Sequence, residues 1–481
     1  MEPTRTRNLS RTQNVKEGFG KFTRREKGPS REEIDPSIYR QQDVYQQKLK
    51  NMWNPKKWAK SAKHAIGKFF IYQNIAPNKA QGPYYQCMID EIARAGVGVE
   101  GPTPYEIGGS ILEDEIEELK EYIDEFKKKW EVYGVTLMCD GWTSITHLSI
   151  TNFLIYCDGK TVFHKSVNTT GIDKDANYLF QLMDEVVQEI GEKYVVQIIT
   201  DNQSSYKRAA ELLMDRRPHL YWTSCAAHSL DLVLHDFAKF KSVSPILEQA
   251  KKCTNFIYNH GKVLHLMRQH CTGELIRPAQ TRFATNYIAL ESLLQHKNGL
   301  QRMMTSDEWA MSASSKDPIG KKVRQTLMDS KFWERAKKIV SIHAPIAKVL
   351  RIVDGEKLTT MPYVYAAMIK AKEQIQEIAP NSCKKYIDVI DERCRKQIIS
   401  RIHIAAYYLN PAYQYSENIG DQPELISALK DVVNRIEPSS TIASHALAEV
   451  KIFREAMHGF SSRLAVKGRE KTDPAEWWFL Y

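Results

Sequence analysis

The chain has no apolar run approaching the ~20 residues that a bilayer-spanning helix needs. Its first stretch, residues 1–30, is basic and polar and lacks the apolar core of a secretory signal. Both absences place the product on the cytosolic and nuclear side, with no membrane partner. Cysteine is sparse as well, with 8 in 481 residues. The eight are scattered from Cys87 to Cys394, too thin a framework for a disulfide scaffold, and free thiols in a reducing compartment are the simple reading. There is no CxxC pair, which excludes a classical zinc module. The nearest approach to metal-ligand spacing is Cys225-Ala226-Ala227-His228, and because no sulfur ligand precedes Cys87 no zinc finger is expected at the front.

The chain is 42% hydrophobic, and its length supports a large core divided into two or three domains. Net charge is +10, and residues 1–63 hold most of it, with 16 Lys/Arg against 7 Asp/Glu. Such a segment suits a polyanion, because Lys and Arg near phosphates release counterions. It reads as an arm on nucleic acid, as a nuclear-import signal, or as a solvated tail.

Periodicity then divides the chain. Residues 1–55 show little apolar pattern and read as a basic disordered arm, with one short helix around Tyr39 to Trp53. Residues 56–130 read as a small helical N-terminal domain. Its acidic-then-basic helix from Ile111 to Trp130 has carboxylates that suit a solvated face ordered by the helix dipole. In residues 131–282 the order is β-β-β-α-β-α-β-α. Runs at Tyr133–Cys139, His147–Tyr156 and Thr161–Val167, with the Asp158-Gly159 turn between the last two, lead into a helix at Ala176–Ile190 and a strand at Tyr194–Thr200. A helix at Ser204–Met214, a strand at Leu220–Thr223 and a helix from Ala226 follow. This predicts an α/β fold with a mixed sheet covered on both faces, in ribonuclease H-like strand order. Residues 283–457 are helical almost throughout, and residues 458–481 read as a truncated return to the core.

Two acids stand behind strand-like runs: Asp140 in Leu137-Met138-Cys139-Asp140-Gly141-Trp142, and Asp201 in Ile198-Ile199-Thr200-Asp201-Asn202. Carboxylates converging at the edge of a sheet can hold the metal ions of a phosphoryl-transfer site. Each also fits a plain turn or helix cap, since Asp-Gly and Asp-Asn are common turn dipeptides. Trp142 is expected to pack in the core.

Four segments, taken in order, resemble hAT-superfamily transposases: Cys139-Asp140-Gly141-Trp142-Thr143-Ser144, Thr200-Asp201-Asn202, Cys225-Ala226-Ala227-His228-Ser229-Leu230-Asp231-Leu232, and Thr281-Arg282-Phe283. The closing Trp477-Trp478 resembles the same family. The likeness runs from about Ala65 to Tyr481 and is nearest a plant, hAT-like branch of unassigned function. It implies a ribonuclease H-like core split by a helical insertion, cutting and joining DNA ends with Mg²⁺ or Mn²⁺. Asp140 and Asp201 match two metal-binding, catalytic acids, and His228 matches a catalytic histidine placed near the reacting DNA. Arg282 would contact a phosphate. Phe283, where the family usually has Trp, would stack on a displaced base less strongly.

The third acid of the family is a glutamate in a Ser-x-x-x-Glu-Arg context on a helix after the double Trp, within the dimerisation region. It is expected beyond Tyr481, and neither Glu455 nor Glu476 has its context. The chain therefore reads as a nuclear, transposase-derived protein that keeps DNA or protein binding without complete catalysis, with no small-molecule substrate. Its partners would be DNA, a second copy or other hAT-like proteins, and an aromatic tail left exposed would favour association. The alternative is an active Mg²⁺-dependent transposase or nuclease.

Overall fold

The computed structural model describes residues 55–144, 146–277, 283–355, 360–417 and 419–481, with side chains from Ala59 onward. The expected basic arm and its short helix at 39–53 lie outside the described residues, as do Thr281 and Arg282. The described residues form two compact units, one up to Ile107 and one from Gly108 onward.

The first unit holds α1 (Pro55–Tyr72) and α2 (Pro83–Ala95). Pro83 opens α2, and Gly96, at φ 83°, closes it. The apolar positions that predicted these helices pack only lightly. Phe70 meets Tyr85 edge-on at 5.7 Å, Phe69 is exposed, and α2 buries no residue completely.

In the second unit α3 (Ser110–Lys127) precedes the sheet, and Phe126 at its end packs into the sheet's core. The strands are β1 (Val135–Thr143), β2 (Ser149–Cys157), β3 (Lys160–Asn168), β4 (Val195–Thr200) and β5 (Tyr221–Ser224), in spatial order β3-β2-β1-β4-β5. The first three are antiparallel, while β4 and β5 run parallel to β1. This is the ribonuclease H-like arrangement. Asp158 and Gly159, both at positive φ, make the tight hairpin between β2 and β3.

Helices α4 (Ala176–Ile190) and α5 (Ser204–Arg216) cover one face. There Leu137, Phe153 and Ile155 of the strands meet Leu179, Met183 and Val186 of α4 and Leu213 of α5. The expectation of a sheet covered on both faces holds in part: helical residues lie over β4 and β5 on the second face, where Gln197 and Thr223 are buried, but the outer strands are left open. On the other face Phe163 is 56% and Trp142 48% exposed. A recess of about 820 Å³, lined by Met138, Gln197, Ile199, Thr223, Val364 and His403 among others, separates that face from the helices. A polar ladder runs beneath it: the Thr136 hydroxyl donates to Gln197 Oε1 (3.1 Å) and Gln197 Nε2 donates to the Thr223 hydroxyl (2.8 Å). Trp142 is correspondingly not core. It lies two residues beyond Asp140 on the same face of β1 and is exposed.

After β5 the chain turns helical with α6 (Ala226–Ala238), α7 (Ser244–Asn259), α8 (Gly261–His270), α9 (Thr285–Gln295), α10 (Lys297–Thr305), α11 (Pro318–Met328) and α12 (Ser330–Val353). It continues with α13 (Met361–Ile378), α14 (Lys384–Arg393), α15 (Arg401–Tyr408), α16 (Pro423–Ile436) and α17 (Ser440–Arg454). The double Trp is satisfied within the chain. Trp477 is fully buried, stacks on Phe460 and donates to the Ala465 carbonyl (3.0 Å), and Trp478 donates to that of Leu409 (2.8 Å). The expected aromatic association surface is thereby largely spent on intramolecular packing. All eight cysteines are free.

Two histidines are buried among these helices. His343 lies against Phe237 (5.3 Å between ring centroids) with its Nε2 unpartnered, and His403 caps α15 through Ser400. Burial lowers both from the usual histidine range to about 4. The unfolded chain takes up a proton near its normal pKa while the folded chain cannot. The fold is therefore fully stable above about pH 6.5 and weakens as pH falls toward 4, by about 1.4 kcal/mol per pH unit for each histidine. Chemical denaturation followed between about pH 7 and 4.5 should show this loss, and His343→Phe should lessen it. An unchanged slope in that variant would contradict a neutral buried His343.

Candidate functional site

β1 and β4 pair in parallel with Leu137 beside Ile198 and Met138 beside Ile199. Two residues further along β1 Asp140 faces the same way as Thr136 and Met138, because side chains alternate along a strand, and Asp201 directly follows the end of β4 at Thr200. Adjacent strands lie about 4.8 Å apart, so the two carboxylates are brought together. Asp140 does not end its strand, as the sequence suggested. β1 runs on to Thr143 because β2 continues to pair with it, Asp140 beside Asn152 and Thr143 beside Ser149. Asp140-Gly141 is accordingly no turn. Gly141 is required for a packing reason: a Cβ there would sit 2.9 Å from the hydroxyl of buried Tyr206.

The loop after β4 is pinned on three sides. Asp201 Oδ1 accepts from the Gln203 N–H (2.9 Å), so this aspartate does form the local turn its sequence allows. The Thr200 carbonyl accepts from the Cys225 N–H (2.7 Å). Asn202 Nδ2 donates to the Ser229 hydroxyl (2.7 Å), which itself donates to the Cys225 carbonyl (2.8 Å). These bonds fix the loop to the first turn of α6, where His228 stands. Asp140 keeps an open solvent face although protein crowds it from behind, while Asp201 and His228 are half-buried.

The three side chains sense one another. Desolvation, and after it the charge of Asp201, holds the Asp140 carboxyl above the usual carboxylate range, and His228 opposes the rise. Desolvation likewise raises Asp201, opposed by the Gln203 N–H, His228 and Lys174. Burial pushes the neighbouring Cys139 thiol up to about 12, and that of Cys225 upward too, so neither offers a ready thiolate. Two carboxylates of like charge at a strand edge are candidate ligands for a cation. Hard oxygen ligands suit one Mg²⁺ or Mn²⁺ completed by water. Among the described residues no group of three His, Cys, Asp or Glu is arranged to hold a metal ion.

Of the remaining sequence candidates, Phe283 is half-buried against the helical core and borders a recess of about 410 Å³ with Tyr287, Ala347, Leu350 and Arg351. Asp231 of α6 holds this segment by accepting from the Ala284 N–H (2.7 Å), with Ala284 at φ 54°. Sequence reasoning missed Lys174. Its ammonium donates to the Ser149 hydroxyl (3.0 Å) and lowers Asp201, from a loop that carries no motif to reveal it. It also missed the structural work of Asn202 and Asp231, although both lie inside the quoted segments.

Residues 102–253 match the family described as Domain of unknown function (DUF659). The match begins just before α3, takes in Asp140, Asp201 and His228, and ends within α7; such a domain is typical of hAT-like, transposase-related proteins. No curated protein matches the chain. Among the described residues, no helix is long and apolar enough to cross a membrane.

A raised folded-state pKa means that the folded protein holds the proton more tightly than the unfolded chain. The carboxylates therefore weaken the fold once pH has risen through that value, and the penalty disappears at low pH. Without divalent metal at about pH 7.5, Asp140→Asn should raise Tm by ~1–3 °C, and the gain should vanish near pH 3. Thermal melts at the two pH values check this. A lower Tm for the variant at the higher pH would show that the pair is not repulsive.

Proposed function

We propose that this chain derives from a hAT-type transposase, keeps the ribonuclease H-like core with its acid pair, and works in the nucleus by holding DNA, a protein partner or both, without completing strand cleavage on its own. The observation that carries this reading is the β1–β4 register, which sets Asp140 and Asp201 side by side with His228 close to both. The match at residues 102–253 supports it.

In this reading Asp140 and Asp201 hold one Mg²⁺ or Mn²⁺, which supplies Lewis-acid polarisation of a phosphate oxygen when bound. Loss of the proton from each raised carboxyl is what opens the pair to the ion. His228 provides a donor on the α6 side, and Lys174 a fixed cation against the phosphate charge. Arg282 and Phe283 belong to the DNA contacts the resemblance implies. The basic residues 1–63 support a nuclear, polyanion-facing role.

Protein association has separate support in α3. Leu112, Ile116 and Leu119 keep heptad spacing, stay 43–56% exposed and lie among acids. A second copy or another hAT-like protein would suit that seam.

The enzyme reading, an active metal-dependent transposase or nuclease, draws on the same pair. A plasmid-nicking assay with Mg²⁺ and with Mn²⁺ separates the two. We expect no nicking above that of Asp140→Asn and Asp201→Asn. Nicking by the parent that both variants abolish would replace our proposal with the enzyme reading.

A further inference from the structure

Helices α11 and α12 distribute charge unlike any other part of the second unit. Together they span Pro318–Met328 and Ser330–Val353 and carry nine cations: Lys321, Lys322, Arg324, Lys331, Arg335, Lys337, Lys338, Lys348 and Arg351. Against them stand Asp329 between the helices and Glu334, a local balance of +7. The whole chain carries +10, of which residues 1–63 already hold +9, so everything outside these two segments is net acidic at −6.

The pattern within α12 is directional. Phe332, Trp333, Ala336, Ile339, Ile342, His343, Ile346 and Leu350 form the buried stripe, which packs against α6 through His343 and Phe237. The opposite arc exposes Lys331, Arg335, Lys337, Lys338 and Lys348, interrupted by Glu334 alone. A rise of 1.5 Å per residue spreads Lys331 to Lys338 over about 10 Å, ~3 base pairs of duplex at 3.4 Å each, and Lys348 follows beyond Pro345, which stands inside the helix.

Of the nine cations, only Arg351 has an ion pair among the described residues, with Glu291 at 3.5 Å. On acidic α3, by contrast, Lys120 pairs with Glu117 (3.0 Å) and Lys127 with Asp124 (2.7 Å). Like charges at three- and four-residue spacing destabilise a helix by about 0.2–0.5 kcal/mol per pair. On α12 the like pairs Lys331/Arg335, Arg335/Lys338 and Lys348/Arg351 are balanced by the spacing of Glu334 to Lys331, Lys337 and Lys338. The five exposed cations from Lys331 to Lys348, without ion pairs among the described residues, are available to external anions.

We infer that the outer face of α11 and α12 is a phosphate-backbone surface for duplex DNA, with Lys331, Arg335 and Lys338 at its centre. The contact is made by point charges along a helix and is sequence-independent, because backbone phosphates carry no base information. The inference rests on the nucleic-acid part of the proposed function and not on the acid pair. Beneath this centre Phe332, Trp333, Ala336 and Ile339 pack with residues of α7, α8, α10 and α11, and further along Ile342 and Ile346 pack with α6, the helix that carries His228.

Fluorescence anisotropy of a labelled ~20-base-pair duplex with the full chain, over a salt series, tests the inference. Lys331→Gln/Arg335→Gln/Lys338→Gln is compared with Lys430→Gln/Lys451→Gln/Lys467→Gln, which removes the same charge from exposed positions elsewhere. We expect the first triple to weaken binding at least tenfold at about 0.1 M salt and to reduce the slope of log K against log salt by ~2–3, since each phosphate contact contributes about 0.9. The second triple should change affinity less than about twofold. Equal losses in both would show a net-charge effect only, and no loss in the first would place binding elsewhere; either overturns the inference while leaving DNA binding by the chain in place. Failure of the parent to bind duplex at all would remove the nucleic-acid part of the proposed function as well.

Discussion

The parallel pairing of β1 with β4 is the constraint on which the rest of the molecule depends. It joins strands some sixty residues apart in sequence, and it holds because Leu137, Val195 and Ile198 bury against α4 and α5 on one face. The same register then brings two carboxylates together, where solvent, His228, the Gly141 and Gln203 N–H groups and, for Asp201, Lys174 compensate them. Hydrophobic burial on one side of the sheet thus sustains an electrostatic liability on the other. Paired carboxylates with raised pKa values are a candidate site for a cation, and a phosphate could approach them only through such an ion.

Much of this was legible in the sequence. Alternation and the Asp158-Gly159 pair located the antiparallel strands, and the later β-α-β spacing required parallel pairing and a right-handed crossover. The helix Ala176–Ile190 was bounded correctly because Asp175 caps it, accepting from the Tyr178 N–H, and Gly191 ends it. Strand ends were harder to place. β1 outlasts its apolar run, since hydrogen bonds to β2 hold Asp140 to Thr143 in the sheet without help from burial. The exposure of Trp142 and Phe163 was unreadable for a related reason: alternation shows that a strand has two faces but not whether a helix covers the second. Lys174 came from a loop, where only three-dimensional closure shows which charge meets which.

The helical part of the second unit has two roles that share α12. Its inner stripe, through His343, Ile342 and Ile346, buttresses α6 and so steadies the turn that carries His228. Its outer arc gathers the positive charge. One helix thus packs into the core on one side and presents unpaired cations on the other, with Pro345 standing inside it between Lys338 and Lys348.

Calorimetric titration of Mn²⁺ into the full chain, beside Asp140→Asn and Asp201→Asn, tests the central claim most directly. If the strand register builds a cation site from these two carboxylates, the parent binds one ion weakly, binding strengthens as pH rises through the raised carboxyl pKa values, and each variant loses it. Binding that survives in both variants, or no binding by the parent at neutral pH, would contradict the account.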